Sequence, residues 1–195
     1  MKVIGLCGGS GSGKGTVCAI FARLGIPSID TDKLYHGIIS TDSQCTLELV
    51  STFGDSIYAH PGINRSALRD VVFASRENLK KLNEITHRHI LAEVRRIISE
   101  THDADGIIID APLLFESGFD KECDLTVAVI ADSTVRAARI VARDGITEEM
   151  AKSRISAQIK NSDLIRMCDF SIENNTTENE LESKVVELRM KLFNN

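Results

Sequence analysis

Seven residues near the start of the chain, Gly8-Gly9-Ser10-Gly11-Ser12-Gly13-Lys14, have the composition and spacing of a phosphate cradle. Glycines let successive backbone N–H groups converge on phosphate oxygens, and the lysine supplies a mobile cation for the outer phosphates of a nucleoside triphosphate. An apolar run, Val3 to Cys7, leads into the loop, and an amphipathic segment, Lys14 to Leu24, follows it. That strand–loop–helix context adds the unsatisfied amides and positive dipole end of a helix N-terminus. A flexible glycine turn accounts for neither the lysine nor the context. The implied chemistry is phosphoryl transfer, with ATP held by Gly11, Ser12, Gly13, Lys14, Gly15 and Thr16 and with Lys14 stabilising the transferring charge. The motif expects a hydroxyl directly after the lysine, but Gly15 stands there and Thr16 follows. Mg2+ is therefore expected to be held largely through water, with Thr16 as the candidate hydroxyl ligand.

Further acids and arginines fall where such a reaction needs them. Asp30-Thr31-Asp32 ends a second apolar run, on the edge where ligands of open α/β sheets bind. Asp30 is expected to cap the next helix. For Asp32, capping and general-base work on an attacking hydroxyl stand level. Asp110 ends Ile107-Ile108-Ile109, the placement of an acid that supports the metal of a nucleotide site. The following Ala111-Pro112-Leu113-Leu114-Phe115-Glu116 reads equally as an acceptor-pocket wall ending in a polar contact and as a buried turn ending in a solvated carboxylate. Arg136, Arg139 and Arg143 fall in one narrow helical stripe, which is unfavourable unless phosphates or neighbouring acids meet them. Asp144-Gly145 stops that helix and Thr147-Glu148-Glu149 starts another, the pattern of a lid over ATP. His87 and His89 point to different helix faces, so a metal pair is not expected; a hydrogen bond from His87 to a substrate phosphate is the alternative use.

The elements that must position these groups alternate along the chain. Candidate strands are Val3 to Cys7, Ile26 to Ile29, Ile107 to Asp110, Leu125 to Ile130 and Phe170 to Ile172. Several are apolar at consecutive positions, as strands covered on both faces are. Helical patterns occupy Lys14 to Leu24, much of Ser43 to Glu100, and Thr134 to Asp144, which argues for an α/β domain with helices on both sheet faces. Thr177 and Glu180 have capping-box spacing, and Leu181, Val185, Leu188 and Leu192 form a docking stripe behind them. No boundary splits the chain into independent domains; residues 40–102 read as an inserted helical lobe and residues 134–160 as the lid region.

Composition bounds the partners. The 195 residues are 43% hydrophobic and 26% charged, with a formal net charge of −5, which disfavours a general nucleic-acid surface. Five cysteines, odd in number and without a CxxC pair, suit a reducing cytoplasm and argue against a disulfide framework or structural zinc. Cys7, in an apolar run, reads as a small core residue. No stretch has the length of a membrane span, and the opening apolar run is too short for a signal peptide. A soluble cytoplasmic protein is expected.

Together these residues resemble the dephospho-coenzyme A kinases, a family of P-loop small-molecule kinases. The resemblance runs from Gly5-Leu6-Cys7-Gly8-Gly9-Ser10-Gly11-Ser12-Gly13-Lys14 through Asp30-Thr31-Asp32, Asn64-Arg65-Ser66-Ala67-Leu68 and Ile85-Thr86-His87. It continues with Asp110-Ala111-Pro112-Leu113-Leu114-Phe115-Glu116, Arg143-Asp144-Gly145, Arg154-Ile155-Ser156-Ala157-Gln158 and Ile172-Glu173-Asn174. It implies a P-loop NTPase-type three-layer fold with a five-stranded parallel sheet, a helical acceptor-binding insertion and a lid. It implies ATP-dependent, Mg2+-supported phosphorylation of the ribose 3′-hydroxyl of dephospho-coenzyme A. Asp32 would then be the base, Arg139 and Arg143 the lid clamp, and Asn174 a contact to the adenine or ribose of ATP. Asp32, Arg65, His87, Asp110, Leu113 and Glu116 would shape the acceptor side. A nucleoside monophosphate kinase is the nearest alternative, which the Gly-Lys-Gly-Thr loop favours and the Asp-x-Pro-Leu-Leu-Phe-Glu run does not. A nucleotide-dependent switch is the more distant one, and the Asn-Lys-x-Asp base-recognition motif of its GTPase form does not occur.

Overall fold

The computed structural model describes residues 1–193. In chain order the elements are β1 (Lys2–Cys7), α1 (Lys14–Arg23), β2 (Ser28–Asp30), α2 (Thr31–Ile39) and α3 (Gln44–Phe53). There follow β3 (Tyr58–Ala59), β4 (Gly62–Ile63), α4 (Arg65–Phe73), α5 (Arg76–Glu100) and β5 (Gly106–Asp110). The chain ends with β6 (Leu125–Ile130), α6 (Ser133–Asp144), α7 (Glu148–Ser156), α8 (Asn161–Met167), β7 (Phe170–Glu173) and α9 (Glu178–Phe193). Two compact units form, one from Met1–Ile29 with the chain from His102 onward, the other from Asp30–Thr101.

The first unit is a three-layer α/β body on a five-stranded parallel sheet of order β2-β5-β1-β6-β7. Its central strands are apolar at consecutive positions because both faces are covered: Ile107, Ile108, Ile109, Val127, Ala128 and Val129 are all buried. Val17, Ile20 and Phe21 of α1 and Leu181, Val185, Leu188 and Leu192 of α9 pack on one face with Ile4, Leu6, Ile108 and Val129. Thr177 caps the start of α9, where its Oγ1 accepts the Glu180 N–H at 3.4 Å. On the opposite face, the missing side chain of Gly5 leaves room for Leu114 and Cys123. The parallel register sets Leu6 beside Asp110 and Cys7 beside Ala128. That register brings the acid at the end of β5 alongside the strand that feeds the glycine loop.

The second unit packs around Ile39, Leu49, Ile57, Leu68, Val72 and Ile85. Its helices begin at polar caps: Asp30 accepts from Lys33 N–H at 2.9 Å, Ser43 from Thr46 at 3.1 Å, and Asn64 from Ser66 and Ala67. The helical pattern of Ser43 to Glu100 is interrupted twice. Gly54, at φ 91°, ends α3, and the short antiparallel ribbon of β3 and β4 follows before α4 begins. The second interruption is at Ser75, which caps α5 after α4 has ended at Phe73.

Candidate active site

The phosphate loop spans the turn from Cys7 to Lys14. Gly13, left-handed at φ 93°, precedes α1 without a side-chain cap, and α1 carries no acid in its first turn. The positive end of that helix is therefore left for an external anion. Lys14 Nζ donates to the Gly8 carbonyl at 3.1 Å and lies 3.9 Å from Asp110 Oδ1. A cavity of about 240 Å3 opens here, walled by loop glycines, Lys14, Asp110, Arg139 and Arg143. The thiol of Cys18 lies 3.8 Å from Asp110 Oδ2, and burial, with the Asp110 charge, pushes it up to about 12. It stands beside the carboxylate as a neutral thiol.

The three arginines of α6 meet the loop at different depths. Arg136 is buried; its Nε donates to Ser10 O at 2.9 Å and its Nη2 to Gln158 Oε1. Gln158 Oε1 also accepts the Ser10 N–H at 3.0 Å. Arg139 Nη1 donates to Asn174 O at 3.0 Å and Gly11 O at 3.3 Å, and its Nη2 to Asn174 Oδ1 at 3.3 Å. Arg143 is exposed, donating to Ser10 Oγ at 3.2 Å and to Asp144 at 2.7 Å. Arg143 and Arg154 together hold the Asp144 carboxyl down at about 2. Ala137, Ile140 and Ala151 join α6 to α7, so the lid segment is packed internally as well as paired. The stripe is answered by loop carbonyls, two side-chain amides, a hydroxyl and one acid.

Asn174, expected at the adenine or ribose, sits buried behind the loop with its Nδ2 on Ser12 O at 2.8 Å. The loop glycines reflect this crowding. A Cβ on Gly9 would stand 2.1 Å from Arg136 Nη2, and one on Gly13 would stand 2.1 Å from Asn174 Nδ2. Ser12 is buried as well, so it offers the loop its backbone rather than its hydroxyl. Gly15 has open space around its missing side chain, and Thr16 lies partly exposed in the first turn of α1. Thr16 and Asp110 are oxygen donors of the kind Mg2+ takes. Among the described residues no group of three or more metal-ligating side chains occurs. The donor set thus fits an ion that draws most of its ligands from phosphate and water.

The expected acceptor-side residues lie in both units. In the first, Leu113 and Glu116 are exposed in the turn after β5. In the second, Asp32 is exposed in the first turn of α2, two residues past the end of β2. His87 is half-buried on α5, and burial lowers its basicity. Arg65 borders a cavity of about 430 Å3 with Tyr35, Arg69, Phe73, Leu79 and Leu82. Arg69 was not singled out in the sequence, although Arg65 and Arg69 at i, i+4 share a face of α4. Gln158 appeared there only within a motif; nothing local to it signals a partner at Ser10.

Comparison with known proteins shows the family and the fold. The family model "Dephospho-CoA kinase" matches residues 2–180. A dephospho-CoA kinase of Fusobacterium nucleatum is 40% identical over 95% of each chain. One of Geobacillus kaustophilus is 35% identical over 94% of this chain and 92% of its own. Among solved structures, TT1252 from Thermus thermophilus matches with a TM-score of 0.83 at 28% identity, covering 98% of this chain and 97% of that one. The dephospho-CoA kinase from Campylobacter jejuni matches with a TM-score of 0.70 at 25% identity and the same coverage. A shikimate kinase from Bacteroides thetaiotaomicron, at 18% identity and a TM-score of 0.59, shares the fold.

Proposed function

The chain belongs to the dephospho-CoA kinase family, and we propose that it phosphorylates the ribose 3′-hydroxyl of dephospho-CoA with ATP, giving CoA and ADP. The single observation that carries the assignment of residues is the cavity where the loop glycines, Lys14, Asp110, Arg139 and Arg143 converge. Three cations and a row of amides, with one carboxylate among them, suit a polyphosphate and its counter-ion.

In this reading Gly11, Ser12, Gly13, Gly15 and Thr16 embrace the phosphates, and Lys14 leaves the Gly8 carbonyl for the transferring group. Asp32 takes the proton of the 3′-hydroxyl as the oxygen attacks phosphorus and the bond to the ADP oxygen breaks. Of the two lid arginines, Arg143 is the moving clamp, since its guanidinium is exposed and its partners among the described residues are Ser10 Oγ and the neighbouring acid. Arg139 contributes a fixed charge, held as it is by loop carbonyls and Asn174. Mg2+, when bound, neutralises phosphate charge; Asp110, through water, and Thr16 are the residues that would hold it. Asn174 serves ATP through the loop and Arg139. Leu113, Glu116, Arg65 and His87 shape the acceptor side, joined by Tyr35 and Arg69.

No helix among the described residues is long and apolar enough to cross a membrane. The five free cysteines fit a reducing cytoplasm. The test is ADP release from Mg-ATP with and without dephospho-CoA, with the product weighed. ADP formed only with that acceptor, together with a product of CoA mass, establishes the reaction. Activity on a nucleoside monophosphate instead, without stimulation by dephospho-CoA, rejects it.

A further inference from the structure

We propose that Gln158 and Arg136 are positioning residues for ATP, gripping Ser10 from the lid segment so that the phosphate loop stands in its binding shape beforehand. Both main-chain polar groups of Ser10 are engaged from this side. Its N–H goes to Gln158 Oε1 at 3.0 Å, and its carbonyl accepts Arg136 Nε at 2.9 Å. The same Gln158 oxygen receives Arg136 Nη2, closing a ring of three residues. Arg136 lies at the start of the lid segment and Gln158 just past the end of α7, so one loop residue is held from both ends of the lid.

Two features argue that the ring serves the loop rather than stability. Arg136 is only 3% exposed, and both of its side-chain acceptors are neutral oxygens. Burying a guanidinium against neutral partners is costly, so an apolar side chain of similar volume would stabilise the fold better. Arg136 also packs on the loop backbone itself, since a Cβ on Gly9 would stand 2.1 Å from its Nη2 and one on Gly11 2.6 Å from its carbonyl oxygen. A loop of converging N–H dipoles repels itself until an anion arrives. Fixing its outward groups from behind removes ordering that ATP binding would otherwise have to impose, and the buried cation adds positive potential beneath the phosphates.

The inference rests on the loop being the ATP site, and its test separates the two. Gln158→Ala deletes the shared acceptor; Gln158 is half-exposed, so folding should survive, which a thermal melt checks. The expected result is a KM for ATP raised about tenfold, with kcat at saturating ATP and the KM for dephospho-CoA within about twofold of wild type. Gln158→Glu keeps an acceptor for Ser10 and Arg136 and should restore the KM. The double variant with Arg136→Gln should be no worse than the more affected single one, because the two act as a unit. An unchanged KM for ATP in Gln158→Ala overturns the proposal, as does an equal rise for both substrates, no rescue by Gln158→Glu, or additive losses. Equilibrium titration with ATP alone tells the two failures apart. Equal affinity of wild type and Gln158→Ala sinks the positioning role only, whereas a wild type that binds no ATP sinks the assigned function along with it.

Discussion

The ammonium of Lys14 stands 3.9 Å from the Asp110 carboxylate, both side chains more than four-fifths buried. The parallel register produces the pairing, because it sets Asp110 opposite Leu6, two residues before the loop begins. A cation and an acid facing one cavity at this distance are held for use: close enough to fix each other, loose enough for phosphate and a metal ion to come between.

Replacing Lys14 with Met removes the charge and keeps the aliphatic stem. Turnover in the ADP-release assay should fall roughly a hundred- to a thousandfold, the cost of losing a preorganised group aimed at developing charge. A loss below tenfold would show that the loop is not the catalytic cradle.

Asp32→Asn should abolish turnover while leaving the affinity for ATP, read by equilibrium titration, close to wild type. Asp30 beside it already performs the capping, with its Oδ1 on the Lys33 N–H. Asp32 is exposed and the cap bond of this helix belongs to Asp30, so its loss should cost little stability. Near-normal turnover removes it as the base.

Asn174→Ala leaves the Ser12 carbonyl and the Arg139 guanidinium each short of a partner in a buried setting. Stability should fall by about 1–3 kcal/mol, the usual cost of a buried polar group left unpaired. The urea midpoint should drop with an unchanged slope. The KM for ATP should rise as well, since the loop loses a support.

The strands and the loop were legible because they depend on local signals: consecutive apolar residues, a glycine-lysine motif, a capping box. What supports the loop was not. Spacing places Arg136, Arg139 and Arg143 on one helix face, but depth is set by where α6 docks, and Arg136 is buried while Arg143 is exposed. The motif implies a nucleotide contact for Asn174, but its bond to Ser12 spans 162 positions of sequence and has no local signal. The small ribbon of β3 and β4 was hidden because its strands have two residues each, too few for an alternating pattern.

Stability should depend on pH through His87. Burial holds its imidazole below the ordinary value of 6.5, so the unfolded chain binds the proton more readily. As pH falls through 6.5 the unfolded state gains protons that the native state resists, and stability drops; as pH rises above 6.5 the difference vanishes. Urea midpoints at pH 7.5 and 5.5 should therefore differ more for wild type than for His87→Gln. Equal differences would assign the pH dependence to other groups.

Arg65 and Arg69 face the cavity of about 430 Å3 in the second unit from one side of α4, with the apolar Phe73, Leu79 and Leu82 also lining it. A nucleotide joined to a long, partly apolar arm presents both kinds of surface, and guanidinium is the side chain suited to its phosphates. Arg65→Ala and Arg69→Ala should each raise the KM for dephospho-CoA, by roughly ten- to a hundredfold for a charge-assisted contact. The KM for ATP should stay unchanged, because neither residue belongs to the loop cavity. Truncating the acceptor offers a second check. If the cavity takes the arm, a shortened acceptor lacking it should respond less to Leu79→Ser than dephospho-CoA does. If both acceptors lose equally, or if the arginine variants leave both KM values unmoved, the acceptor does not bind at this cavity.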